Sequence, residues 1–169
     1  MVDPYLDEKL VLILSSSFMD VVTEGVKANA VREAYGPTKN QGFCYEYCGV
    51  VKFGDTIKGS LVLGMDGYTK LLLLPYLIEQ FDIDVKNRAL VEYAMEKFLT
   101  HLWDTFYLEI AEILPDLKKI EAINVNHEIL NCPEDDFRKY TIIFFLKDEE
   151  KQKYLGRAYL HLIIQKLIN

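Results

Sequence analysis

The longest helical signal in the chain runs from about Val85 to Leu114, with Asp84 as its N-cap and Pro115 ending it. At 100° per residue with Glu92 at zero, Leu90, Ala94, Phe98, His101 and Thr105 fall on the opposite side, flanked by Val91, Leu102 and Leu108. That is the natural core face. Around Glu92 lie Met95, Glu96, Leu99, Trp103, Phe106 and Ile110, a second stripe that is acidic in its N-terminal half and apolar along its length. Helices apolar all round are usually buried, so a neighbouring helix can cover this stripe. Glu92 and Glu96 resist that account, because like charges one turn apart repel and need solvent or a cation. An exposed ledge of Met95, Leu99 and Trp103 beside two carboxylates would instead suit a partner protein's groove or basic residue. Both accounts are open at this level.

The rest of the chain supplies the other layer. A first helix is predicted from about Pro4 to Lys27, where Leu10, Val11, Leu14, Phe18, Val21, Val22 and Gly25 recur at three-to-four spacing. Gly36 to Gly42 reads as a loop by its breakers. A hairpin follows: Phe43, Tyr45, Tyr47, Val51 and Phe53 alternate, Gly54-Asp55 begins the turn, and Leu61, Leu63 and Met65 share one face of the return strand. Tyr68 to Gln80 reads as a helix that Pro75 should kink or split. Beyond Pro115, three strands are expected: one carrying Ile123, Val125, His127 and Ile129; a central one from Tyr140 to Leu146, apolar on both faces; and one carrying Ala158, Leu160, Leu162 and Ile164. This order predicts a single α+β domain over residues 1–169, with a mainly antiparallel sheet and long N-terminal and central helices packed on it.

Composition agrees with a folded domain and narrows its partners. Of the 169 residues 50% are hydrophobic, enough to bury a core, and 27% are charged. The net charge of -7 disfavours a surface devoted to nucleic-acid phosphates, which needs clustered Lys and Arg. No window approaches the ~20 apolar residues of a membrane span, and the charged start lacks the pattern of a signal peptide. A soluble, cytoplasmic chain without membrane insertion is the expectation.

Other chemistry-bearing residues give weaker signals. Cys44 and Cys48 read as members of one strand, where four steps put their α-carbons roughly 13 Å apart, too far for a disulfide and poor for sharing zinc. A bulge or turn between them would reopen the question. His101 and His127 fall on apolar faces and read as core histidines, whereas His161 alternates to the polar face of the last strand, solvated or at an interface. No local His or Cys spacing supports a metal site. Ser15-Ser16-Ser17 lacks a nucleophile elbow, and no Gly-rich phosphate loop occurs. Glu134-Asp135-Asp136 and Asp148-Glu149-Glu150 read as solvated loop charge without EF-hand spacing.

Two ordered blocks carry a family resemblance. Gly49 to Asp66 looks like the hairpin, and Ala89-Leu90-Val91-Glu92 like the start of the Glu-x-x-Asn helix, of the chemotaxis phosphatase CheX and its CheC and FliY relatives; Gly156 to Leu162 resembles that family's closing strand. The resemblance implies a CheX-like fold, a homodimer, and a helix that docks a phosphorylated CheY-type response regulator. In the family the Glu pairs with a regulator lysine and the Asn amide positions water for attack on the aspartyl phosphate, with Mg2+ held by the regulator. By this correspondence Glu92, Met95, Glu96, Leu99 and Trp103 would meet the partner.

The sequence departs from the family at the decisive position. Met95 stands where the Asn is expected, and shifting the register to Glu96 places Leu99 there. A thioether cannot align water, and losing one positioned donor costs other enzymes ~10²–10³ in rate. Glu96 is a formal substitute as water-binding group, but a carboxylate beside a phosphoryl group is electrostatically unfavourable. The expectation is a signalling protein that docks the regulator, with weak or lost phosphatase activity and no cofactor of its own. The alternative is a non-enzymatic homodimeric adaptor or a small-molecule sensor on the same scaffold.

Overall fold

The computed structural model describes residues 5–26, 28–38, 42–55, 57–125, 129–131 and 136–166. It begins with helix α1 (Leu6–Val21), which runs into a π-helical turn at Val22–Val26. Then follow β1 (Asn29–Pro37), β2 (Gly42–Cys44), β3 (Tyr47–Gly54), β4 (Gly59–Met65), α2 (Gly67–Phe81), α3 (Leu90–Ile110), β5 (Lys118–Val125), β6 (Ile129–Asn131), β7 (Phe137–Asp148) and β8 (Lys153–Gln165). Six strands form one sheet in the order β1-β7-β8-β4-β3-β5, and β2 pairs with β6 in a separate ribbon. Every described pairing is antiparallel. The α+β reading, with the N-terminal and central helices on the sheet, is the observed fold.

The helices cover one face of the sheet. Leu10, Leu14 and Phe18 of α1 are buried at helical spacing, and the Phe18 ring lies 4.6 Å from Phe144 of β7 and 6.2 Å from Phe98 of α3. Val51, Phe53, Leu61, Leu63, Ile142, Leu160 and Leu162 complete this core from the sheet side. Residues of opposite parity face away. There Cys48, Val50, Val62 and Ile163 form a second, smaller buried cluster, with Tyr45 and Phe137 packed against it.

Several boundaries differ from the sequence expectation for local reasons. β1 occupies residues that carry no strand pattern, because it is the edge of the sheet: only Ala30 is buried and positions 31–35 are all exposed. The strand expected to hold both Cys44 and Cys48 is broken at Tyr45-Glu46, so Cys44 ends β2 and Cys48 lies in β3; neither is in a disulfide, and Cys44 is exposed while Cys48 is buried. Pro75 does not split α2; the carbonyl of Leu71 that it deprives of a donor lies on the solvent side, since Leu71 is 56% exposed and Pro75 is exposed. The N-cap of α2 is Asp66, whose Oδ1 accepts the Thr69 N–H at 2.7 Å.

α3 starts at Leu90 rather than Val85 because Asp84 is spent on a turn. Its Oδ1 accepts the Lys86 N–H at 2.9 Å and its carbonyl accepts the Asn87 N–H at 3.0 Å. Asn87 then accepts the Ala89 N–H at 2.9 Å just before the helix. The strand expected around Ile123 to Ile129 begins earlier, at Lys118, and Ile129 belongs to the separate ribbon. His127, Cys132, Glu134 and Asp135 lie outside the described residues.

Candidate docking face

The placement of α3 decides how its two apolar stripes are used. The helix packs against α1 and α2 on one side and against β3 and β5 on the other. A helix that lies on a sheet beside two other helices needs apolar residues toward both, which is why two stripes occur. Phe98 meets Phe18 of α1, and His101 lies edge-on to Phe81 of α2 at 6.0 Å. From the second stripe, Trp103 stacks on Phe53 of β3 at 5.7 Å. Leu99 lies over Gly49 of β3, where an added Cβ would come within 3.0 Å of Leu99 Cδ2.

An exposed Met-Leu-Trp ledge is therefore absent. Met95 and Leu99 are each 1% exposed and Trp103 is 3% exposed, so all three belong to the core. Glu92 and Glu96 are exposed, as their charge requires. Two expected core positions shift outward: Leu108 is 73% exposed, and His101 is only half-buried. The solvent strip of α3 consists of Glu92, Tyr93, Glu96 and Lys97 in its N-terminal half, with the Lys97 Nζ 5.3 Å from the Tyr93 ring centre. Below this strip Tyr47 is 2% exposed, and its hydroxyl is held protonated by burial first, then by Cys48 and the charge of Glu96.

This strip can supply carboxylates to a basic partner but offers no amide or hydroxyl at the position three residues after Glu92. The solvent-facing residues one turn further along are Glu96 and Lys97. Neither is a neutral group suited to holding water beside a phosphoryl anion.

His161 was expected on a solvated or interface face and is instead 2% exposed. Its Nε2 lies 2.6 Å from the Tyr45 hydroxyl and its Nδ1 lies 3.0 Å from Thr141 Oγ1. Burial lowers its pKa to about 3, so the ring is neutral at physiological pH. Both faces of β8 are covered at this point, a fact that alternation along a single strand does not carry. Among the described residues no group of three or more His, Cys, Asp or Glu side chains could hold a metal ion, and no helix is long and apolar enough to cross a membrane.

This architecture, three helices on one face of a six-stranded antiparallel sheet, is the fold of the CheX, CheC-like and FliY chemotaxis proteins. Among solved structures, the chain is similar to a CheX protein from Desulfovibrio desulfuricans, with a TM-score of 0.74 at 8% identity, covering 92% of this chain and 99% of that one. CheX from Vibrio vulnificus gives a TM-score of 0.70 at 15% identity over 92% of this chain and 99% of that one. CheX from Borrelia burgdorferi, solved as a complex with CheY, BeF3 and Mg2+, gives 0.53 at 10% identity over 93% of this chain and 98% of that one. No protein-family model and no curated protein sequence matches the chain.

Proposed function

We propose that this chain is a cytoplasmic signalling protein that docks a phosphorylated CheY-type response regulator and hydrolyses its aspartyl phosphate weakly or not at all. The observation that supports docking most directly is the fold shared, over 93% of the chain, with a CheX protein solved on CheY with BeF3 and Mg2+. Beryllium trifluoride there stands in for the phosphoryl group of the aspartyl phosphate. The reading assigns the contact to the solvent strip of α3, where Glu92 and Glu96 present two carboxylates to a basic group of the regulator. Leu99 and Trp103 act from beneath, fixing the helix against β3, and Met95 is buried in the same core. Mg2+ would be supplied by the regulator.

Lost catalysis follows from side-chain chemistry. The position that should present an amide carries Met95, which is buried, and the exposed carboxylate of Glu96 repels the anion it would have to serve. The test is calorimetric titration of the chain with a cognate CheY-type regulator, with and without BeF3 and Mg2+, together with phosphate release from the phosphorylated regulator. The expected result is binding strengthened by BeF3, weakened about tenfold in a Glu92→Gln, Glu96→Gln double variant, with phosphate loss at the regulator's own rate. Absence of binding in both states would overturn docking. Acceleration by the wild-type chain would overturn the loss of catalysis and make Glu96 the first residue to replace.

A homodimer belongs to the same reading and is favoured by one feature of β1. Among the described residues this edge strand pairs on one side only, with β7, and it exposes Val31 (52%) and Tyr35 (49%). Light scattering on wild type and Val31→Lys tests it, with a dimer expected to weaken in the variant. If the dimer forms but no regulator binds, the non-enzymatic adaptor reading takes precedence.

A further inference from the structure

On the sheet face turned away from the helices, where β4 ends and α2 begins, lies a cleft of about 340 Å3. Tyr45, Glu46, Asp66, Tyr154, Arg157 and Tyr159 line it. Its volume is at the small end of the range of small-molecule sites. Two glycines shape it. The Tyr45 ring occupies the space where a Cβ on Gly64 would stand, and Glu46 Oε2 lies 2.6 Å from the Cβ position of Gly67, the first residue of α2. A side chain at either glycine would push the wall of the cleft outward. Tyr45 is fixed further by its bond to His161 at 2.6 Å and by stacking on Tyr159 at 5.3 Å.

The charges around the cleft are of both signs and do not neutralise one another. Arg157 gives its Nε to Glu33 at 3.1 Å, and its two terminal amino groups bond no described residue. Asp66 spends Oδ1 on the α2 cap, leaving Oδ2 open, and Glu46 has no ion pair among the described residues. A simple anion would meet Glu46 and Asp66, and a simple cation would meet the guanidinium of Arg157. A compact molecule carrying an ammonium and a carboxylate satisfies both ends.

We propose that this cleft binds a free α-amino acid. Glu46 and Asp66 take the ammonium, the terminal amino groups of Arg157 take the carboxylate, and the side chain lies along Tyr45 and Tyr159. The site is on the sheet face opposite α3, so the proposal is independent of regulator docking.

The test is a thermal-shift screen of the full chain against the free L-amino acids, followed by calorimetry on those that raise Tm. Each is compared with its carboxylic acid lacking the amino group and its amine lacking the carboxylate. The expected result is binding of at least one amino acid, with both truncated compounds about tenfold weaker or worse. Arg157→Gln and Glu46→Gln, both at exposed positions, should each weaken binding about tenfold, while Glu109→Gln on α3 should not change it. Circular dichroism confirms that each variant is folded, and Arg157→Ala is the replacement if Arg157→Gln is not. The proposal is overturned if no amino acid binds at millimolar concentration, if the amine alone binds as well as the amino acid, or if the Arg157 variant binds undiminished.

Discussion

Glu92 and Met95 stand three residues apart on α3 yet lie in opposite environments: the carboxylate is in solvent, and the thioether is 1% exposed within the core. In a Glu-x-x-Asn helix both side chains must reach the partner together. Met95→Asn therefore should not restore a catalytic amide. It places an amide among apolar residues at a cost of about 2–4 kcal/mol. Urea denaturation of the variant should show that loss, with phosphate release from a phosphorylated regulator unchanged. A variant as stable as wild type that speeds phosphate loss would mean that α3 presents a different face to its partner.

Trp103 gives a direct optical check on the packing of α3. Its indole is 3% exposed and lies against Phe53 and Phe106, so its emission should be blue-shifted and resist acrylamide quenching. The chain has one Trp, so the signal is unambiguous. Emission near that of free indole, quenched freely, would show an exposed stripe and reinstate Trp103 as a partner contact. Leu99→Ala beside it should cost about 2–5 kcal/mol, read as a lower denaturation midpoint.

The elements that were legible in the sequence are those whose burial is one-sided or complete. The β3–β4 hairpin was legible because Tyr47, Val51, Phe53, Leu61, Leu63 and Met65 all face the helices, although its other face is buried too, and β7 reads as central because it lies between β1 and β8. β1 was not legible, since an edge strand exposed from Val31 to Tyr35 has no apolar period to detect. The two stripes of α3 were visible, but what covers the second is a property of the layer it packs on, β3 and β5, and not of the helix. His161 was placed on the right side of β8 and in the wrong environment, because Tyr45, 116 residues earlier in the chain, closes over it. The cleft at the start of α2 had no sequence signature at all: it depends on Gly64 and Gly67 yielding space to Tyr45 and Glu46.

The buried His161 makes stability depend on pH in a definite direction. Its pKa is lowered by burial to about 3, whereas the unfolded chain takes up the proton near the ordinary value of 6.5. The stabilising contribution is thus complete above the unfolded value and is lost as pH falls from there toward the folded value. Between pH ~8 and pH ~5 the folded state should lose about 2 kcal/mol from this group alone. Denaturation midpoints across that interval should fall in wild type. In His161→Gln the slope should flatten, whatever the absolute stability of the variant.

Asp7 ties the start of α1 to β7 through two partners. Arg138 donates Nε to Oδ2 at 2.6 Å and Nη2 to Oδ1 at 3.2 Å, and the Tyr140 hydroxyl donates to the same Oδ2. Burial works to raise the Asp7 pKa, but the bonds from Arg138 and Tyr140 outweigh it and hold the carboxyl below its ordinary value. Tyr140 is correspondingly pushed up to about 12, by burial first and then by its bond to Asp7. Because the folded pKa of Asp7 is depressed, its contribution is present above the ordinary carboxylate value and is lost as pH falls below it. Asp7→Asn should cost about 1–2 kcal/mol near neutrality, discounted from a fully buried pair because the Arg138 side chain is 36% exposed. The gap between variant and wild type should narrow as pH drops below about 4 and shrink with added salt. A gap that stays constant through both changes would mean that Asp7 acts through packing rather than charge.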